Sequence, residues 1–517
     1  MTAVVESARR LMGVELFEQL LDPGSFRSWD RPVPDPLGAD ASYLADLAKA
    51  RQRSGADESI LTGEGRLNRH PVAVIVSEFS FLGGSIGRAA AERIVAAIEE
   101  AGRRRIPLIA APASGGTRMQ EGTLAFLQMV RITEALTAYK RLGLPYLVYL
   151  RHPTTGGVFA SWGSLGHVTA AEPGGLIGFL GPKVYAGLTG QEFPEGVQRS
   201  ENLLAHGTVD AVLDIAGFRQ LAAGVLGILS GSWEGACSSL PAATEHAPSE
   251  PVSGDMSSGG DALGNMPSGG DALGNMPSGG AATVRMSPRD AAWDSVQRTR
   301  DAGRPGLGEL LDGGFGRLVR LNGTGRGALS ASTAVVLAEL EGRPVVVVGQ
   351  DRAAQRVGSV LDAAALAQAR RGMRLAEELR LPLVTVVDTP GAELSVEAEE
   401  SAIAGGIADC IEGMLGLTVP SVAVLLGEGT GGGALALAAA RRTVAAEHAW
   451  LAPLPPEGAS LIVNGDTSLA AELSGRQRIV ASALFDDGAV HDVIAEGPGL
   501  GPRIVKAVAK RIVEQLG

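Results

Sequence analysis

Cysteine is nearly missing from this 517-residue chain: Cys237 and Cys410 are the two present. That excludes a disulfide framework and a four-thiolate zinc site, and a reducing cytosol is the expected compartment. Aromatic residues make up 4% of the sequence, so any core has to be built from Ala, Val, Leu and Ile. Lysine is scarce as well, five against 40 arginines, so an anionic ligand would meet guanidinium forks, which suit phosphate. There is no surplus of positive charge. The net charge of −12 argues against nucleic acid as the main partner, because phosphate backbones call for a basic footprint. Long apolar runs are absent too, and none approaches the roughly 20 residues that cross a bilayer. The opening MTAVVESARRLMGVELFEQLL reads as a short amphipathic helix and lacks the charged-then-apolar order of a signal peptide. The expectation is a soluble cytoplasmic protein without a membrane partner.

Familiar catalytic signatures are missing. There is no G-x-x-x-x-G-K-[ST] loop, no H-E-x-x-H and no paired-cysteine motif. The seven histidines (His70, His152, His167, His206, His246, His448 and His491) are scattered without metal-ligand spacing, so no metal is expected. Arg103, Arg104 and Arg105 read as the charge complement of a helix C-terminus. The chemistry must then rest on backbone donors and on what the ligands bring.

What the chain does have is glycine, 71 residues of it, and 45% hydrophobic residues. Its length exceeds one ordinary core. Residues 234–290 turn to Ser, Gly, Pro, Ala and Asp, with MSSGGDALGN and MPSGGDALGN in tandem followed by MPSGG. Such a segment has too little apolar mass to offset ordering entropy and reads as a flexible linker. It separates domains at 1–233 and 291–517. Both carry short apolar runs, PVAVIVSEF, IPLIAAPA and LPYLVYL in the first and RPVVVVGQ, LPLVTVV and VPSVAVLL in the second. Ala-, Arg- and Glu-rich stretches of helical period lie between the runs. Alternating strand and helix predicts an α/β fold with mostly parallel sheets.

The halves also match in detail. RIPLIAAPASGGTRMQEG leads through a helical stretch to GLPYLVYLRHPTTGGVFAS, and RLPLVTVVDTPGAELSVEAE leads likewise to TVPSVAVLLGEGTGGGALA. Gly115 to Gly156 is 41 residues and so is Gly391 to Gly432, which suggests duplication of one plan. Ligands of parallel α/β sheets gather at the carboxyl ends of strands. Amides of Gly156, Gly157 and Val158, and of Gly432, Gly433 and Ala434, at expected helix starts, would form two oxyanion holes. Glu121 and Glu397 read as helix-start charges. Arg118 either faces the ligand cavity or locks its loop by pairing with Glu121.

Several long motifs carry a family resemblance. FSFLGGSIG (79–87), ASGGTRMQEG (113–122), GLPYLVYLRHPTTGGVFASWGSLG (143–166), AEPGGLIGFLGPKV (171–184) and FPEGVQRSENLLAHGTVD (193–210) resemble the carboxyltransferase β subunit of bacterial acetyl-CoA carboxylase. VVDTPGAELSVEAEE (386–400), VAVLLGEGTGGGALAL (422–437) and APLPPEGAS (452–460) resemble the α subunit. The resemblance implies two crotonase-like domains of ββα superhelix type, joined by the linker. It also implies transfer of CO2 from carboxybiotin, carried on a separate biotinyl protein, to the α-carbon of an acyl-CoA. The first domain would bind acetyl-CoA through the hole at Gly156–Val158, with Gly115 and Gly116 beside it. The second would bind biotin through Gly432–Ala434, with Gly391 beside it. Arg88, Arg118, Lys183 and Arg199 are the cations expected for the CoA phosphates. Biotin carboxylase and its carrier protein would be partners, and an active site shared between copies implies a homodimer or larger homo-oligomer.

Three departures stand out. The start lacks the four-cysteine zinc ribbon usual in bacterial β subunits, DTPGAELS replaces the usual Tyr-Pro-Gly continuation after DTPGA, and no lysine sits in a Met-Lys-Met context for biotinylation. Two other readings stay open at this point. A decarboxylase of malonyl-CoA or a malonyl carrier would release CO2 from malonyl-CoA without biotin. A non-catalytic assembly subunit would bind a carboxylase without turnover.

Overall fold

The computed structural model describes residues 11–36, 40–179, 191–231 and 288–517. The decapeptide repeats and Lys183 lie outside the described residues. The first half contributes β1 (Arg27–Ser28), β2 (Ile60–Leu67), β3 (His70–Ser77), β4 (Leu108–Ala111) and β5 (Tyr146–Leu150). β6 (Thr154–Thr155), β7 (Val168–Ala171), β8 (Ile177–Gly178) and β9 (Ala211–Val212) complete it. The second half contributes β10 (Leu318–Leu321), β11 (Thr333–Leu340), β12 (Arg343–Gln350), β13 (Leu383–Thr389) and β14 (Ser421–Thr430). It ends with β15 (Arg442–Ala446), β16 (Trp450–Ala452) and β17 (Asp492–Ile494).

The two sheets share one order. In the first it is β1-β2-β3-β4-β5-β7-β9, and in the second β10-β11-β12-β13-β14-β15-β17 with β16 paired to the end of β14. Each opens on three antiparallel strands, β1 to β3 and β10 to β12, and continues in parallel. The expected duplication is therefore matched strand for strand. The two-residue turns that open each half are alike too: Asn68 and Arg69 in one, Glu341 and Gly342 in the other, all with positive φ. That is the geometry whose twist suits a tight hairpin. β4, β5, β13 and β14 are buried along their whole length, as parallel strands covered on both faces must be.

One helix joins the halves. Asp214 caps Ile215–Leu229 by accepting the N–H of Gly217 at 2.8 Å. The helix buries Phe218, Ala222, Val225, Leu226 and Ile228 and touches β2 and β3 of its own half and β10, β11 and β12 of the other. One apolar cluster consequently runs from Leu16 to Ile512. The backbones meet directly as well, where the N–H of Gly325 donates to the carbonyl of Gly207 at 2.8 Å.

Candidate active site

β4 ends in the loop carrying Gly115 and Gly116, and β6 ends at Gly156. The loop is stitched to β6 by the N–H of Ser114 to Pro153 O at 2.7 Å and the N–H of Thr155 to Ser114 O at 2.9 Å. Only glycine fits here. A Cβ on Gly156, whose φ is +65°, would stand 3.4 Å from Gly116 Cα, and Gly116 has φ +109°. The FLGG segment buttresses the loop from the other side, with the N–H of Gly115 donating to Gly83 O at 2.9 Å.

The second half repeats the arrangement at the end of β13 and β14. Gly391 has φ +132°, Gly431 has φ +63°, and a Cβ on Gly391 would lie 3.9 Å from Thr430 O. β6 pairs Thr155 with Gly178, and β14 pairs Thr430 with Ala452. The structural equivalents are therefore Gly116 with Gly391 and Gly156 with Gly431, 40 residues apart in each half. The spacing of 41 expected from the sequence pairs positions that are one residue out of register.

This shift redefines the two sets of donors. Gly156 does not offer its N–H, which donates to Phe179 O at 2.9 Å. The amides of Gly157 and Val158 donate to no acceptor among the described residues. No α-helix starts there, contrary to the expectation: Gly156–Ser161 is a run of turns leading to a 3-10 turn at Trp162–Ser164. The second set does open a helix, Gly431–Ala438, directly after β14. The first N–H groups of a helix have no intrahelical acceptor, which leaves those of Gly432 and Gly433 free, whereas Ala434 falls where the helix's own ladder begins. Gly433 is glycine for a packing reason as well, since a Cβ there would come within 2.9 Å of Ala392 N and 2.6 Å of a Leu361 methyl.

Beside the first donors runs a groove of about 970 Å3, lined by Met129, Val130, Thr133, Gly156, Gly157 and Phe179 among others. Every lining residue belongs to the first half. The two glycine sites of each half are thus brought together, while the second half contributes nothing to this groove within one chain.

The four cations fare differently. Arg118 is a lock and not a ligand: its side chain is 1% exposed, its guanidinium pairs closely with Glu58, and it also contacts Glu121 and donates to Ser85 O at 2.9 Å. Burial of a guanidinium between two carboxylates leaves it no face for a phosphate. Glu121 itself accepts the N–H of Arg88 at 2.7 Å and the hydroxyl of Tyr43 at 2.6 Å, so it caps the neighbouring helix Arg88–Arg104. Burial and then the Glu121 bond push the Tyr43 phenol up to about 12. Arg88 is exposed at the start of that helix. Arg199 donates to Gly174 O at 2.8 Å.

Sequence reasoning missed the charged network under the second glycine site. Asp388, at the end of β13, accepts the N–H of Glu428 at 3.0 Å, and Glu428 pairs with Arg300 at 3.0 Å and with Arg352 at 2.5 Å. Burial raises the Asp388 carboxyl to about 6, with Arg304 working in the opposite direction. The readable signal was the Asp of VVDTPG. Its partners Arg352, Glu428, Arg304 and Arg300 lie 36 to 88 residues away in the chain and left no local pattern.

Comparison with known proteins agrees with this geometry. Residues 6–223 match the family model described as a carboxyl transferase domain, and residues 286–517 match the one described as acetyl co-enzyme A carboxylase carboxyltransferase-like. Over 490 residues the chain is 49% identical to the probable biotin-dependent acyl-coenzyme A carboxylase beta3 subunit of Mycobacterium tuberculosis, spanning 95% of this chain and 90% of that one. It is 37% identical to the acetyl-coenzyme A carboxylase carboxyl transferase subunits beta/alpha of Salinispora arenicola, over 96% of this chain and 85% of that one. Transcarboxylase 12S, solved as a hexamer with hydrolyzed methylmalonyl-coenzyme A, superposes with a TM-score of 0.70 at 19% identity, over 97% of this chain and 89% of that one. That likeness establishes the crotonase-like fold of both domains. With a β-type domain followed by an α-type domain over its whole described length, the chain belongs to the carboxyltransferases of the biotin-dependent acyl-CoA carboxylases.

Proposed function

We propose that the chain transfers CO2 from carboxybiotin, presented by a separate carrier protein, to the α-carbon of acetyl-CoA, forming malonyl-CoA. The observation that carries this reading is the pair of free amides at Gly157, which lines an apolar groove, and at Val158 next to it, mirrored by those of Gly432 and Gly433. Backbone donors aimed at a developing oxyanion stabilise it without reorganising. In the first domain they hold the thioester oxygen as loss of the α-proton drives charge onto it, while Met129, Val130 and Phe179 exclude water around the acyl group. In the second, Gly432 and Gly433 present two N–H groups at a positive helix end, a donor set that fits the ureido oxygen of biotin. Carboxybiotin, when bound, supplies the carboxyl group and afterwards the base for the α-proton. No side-chain base is then required, in keeping with the scattered histidines.

The first groove is lined by one half alone, so the second donor set would reach it from another copy of the chain. Apolar side chains stand exposed near both sites, Leu127 and Val130 in one half and Leu461, Ile462 and Val463 in the other. A second copy covering them would give a homodimer or larger assembly, and the hexamer reported for transcarboxylase 12S is in line with that. Arg88 is the cation best placed for the CoA phosphates. The cytoplasm, where acyl-CoA and biotin carboxylase meet, is the proposed compartment; no helix among the described residues is long and apolar enough to cross a membrane. The test is to supply labelled carboxybiotinyl carrier with acetyl-, propionyl- and butyryl-CoA. Label is expected first in malonyl-CoA. A preference for a longer acyl group would sink the acetyl assignment, and transfer to none would sink the activity.

A further inference from the structure

A second cleft, of about 110 Å3, lies between the two halves of the same chain. One end of it sits on the side of the first sheet where the parallel strands begin, and its lining reaches Leu150 and Phe159 at the other. Tyr146 and Val168 begin β5 and β7 at the first of these ends, and Lys140 closes the helix Gly122–Lys140 whose other end faces the Gly115 loop. Four cations line or floor it: Lys140 from the first half and Arg326, Arg371 and Arg374 from the second.

Two of these charges are already matched. Arg371 pairs with Asp210 at 2.9 Å, and Lys140 pairs with Glu378 at 2.8 Å. His167 adds no charge. Its Nδ1 accepts the N–H of Tyr146 at 3.0 Å, so Nε2 carries the proton and faces Glu378 Oε2 at 3.1 Å. Burial holds its pKa below the ordinary imidazole value. Arg326 and Arg374 remain exposed on the lip of the cleft and make no ion pair among the described residues. The two guanidinium groups also repel one another: although the Arg374 side chain reaches solvent, desolvation by the cleft walls around its base, then Arg326, lower its pKa, with Arg371 and Arg370 adding to the effect and Glu378 opposing it.

Uncompensated guanidinium forks at the mouth of a polar cleft match the oxygens of a phosphate. We propose that this cleft binds a phosphate dianion, free or as a phosphomonoester, between Arg326 and Arg374 of the second half and the Lys140 end of the first. The anion relieves the repulsion of the arginines and ties the halves together. The inference stands whether or not acetyl-CoA is the acceptor.

Titration calorimetry on the full chain, with inorganic phosphate in one arm and AMP in the other at matched ionic strength, tests it. Saturable binding is expected, and the double variant Arg326→Gln/Arg374→Gln weakens it about tenfold or more, since each arginine removed costs charge-assisted hydrogen bonds. Both side chains are exposed, so the variant should keep the parent melting temperature without phosphate; the single Arg326→Gln serves if it does not. Tighter binding of AMP identifies a nucleotide as the source, and equal binding identifies free phosphate. No saturable heat with either probe, or heat undiminished in the variants, overturns the proposal.

Discussion

Arg371 and Asp210 come from different halves of the chain and meet 2.9 Å apart, with 9% and 2% of their side chains exposed. Asp210 also accepts the N–H groups of Thr169 at 2.8 Å and Asn322 at 2.9 Å, so its carboxylate is fully engaged on both sides of the junction. Replacing Arg371 by Leu strands that carboxylate in the interior. A loss of about 3–5 kcal/mol is expected, visible as a lower denaturation midpoint. An unchanged midpoint would mean the two halves do not meet as described.

Gly157→Val addresses the first donor set. An added Cβ would lie 3.3 Å from Met129 Cγ and 3.5 Å from Thr117 Oγ1, so the branched side chain must displace the turn that aims the amides. Loss of one oxyanion donor costs about 100- to 1,000-fold in turnover. Carboxyl transfer should fall on that scale in kcat, with the melting temperature little changed. Wild-type turnover in this variant removes the first set from the mechanism.

Gly433→Ala should behave differently. Its Cβ would approach Ala392 N at 2.9 Å and Leu361 Cδ2 at 2.6 Å, inside a fully packed region. Overpacking of this kind typically costs about 1–3 kcal/mol, so both stability and transfer should drop together. A variant with parent stability would show that the Gly391 loop yields easily.

Asp388 gives a pH signature. Its folded pKa of about 6 lies above the ordinary value of 3.8, chiefly through burial. The folded state therefore holds a proton that the unfolded chain has released, and the stability this brings is present below about pH 3.8 and lost as pH rises through about 6. Relative to wild type, Asp388→Asn should gain in melting temperature between pH 4 and pH 7, because it never becomes a buried charge. A difference that stays flat over that interval would place the raised pKa elsewhere.

The strands and the doubled plan were legible because buried parallel strands need apolar runs, and those at 71–79, 106–113, 144–150, 343–350, 381–387 and 419–426 each became one. The antiparallel partners β2 and β11 were harder to see, for Asn68-Arg69 lacks the glycine that Glu341-Gly342 shows. The glycine turns were found but their register was not. Only strand pairing, Thr155 to Gly178 against Thr430 to Ala452, reveals which glycine bends the chain and which donates. Arg118 could be narrowed only to two roles, because Glu58 lies 60 residues upstream and nothing local marks it as the partner.

The helix Ile215–Leu229 is encoded with the first domain yet completes the interior of the second. Severing the peptide anywhere between residues 231 and 288 should accordingly nick the chain without releasing its pieces. Two separately translated segments, 1–231 and 288–517, would be expected to find each other and copurify, so the covalent fusion sets stoichiometry more than it sets architecture.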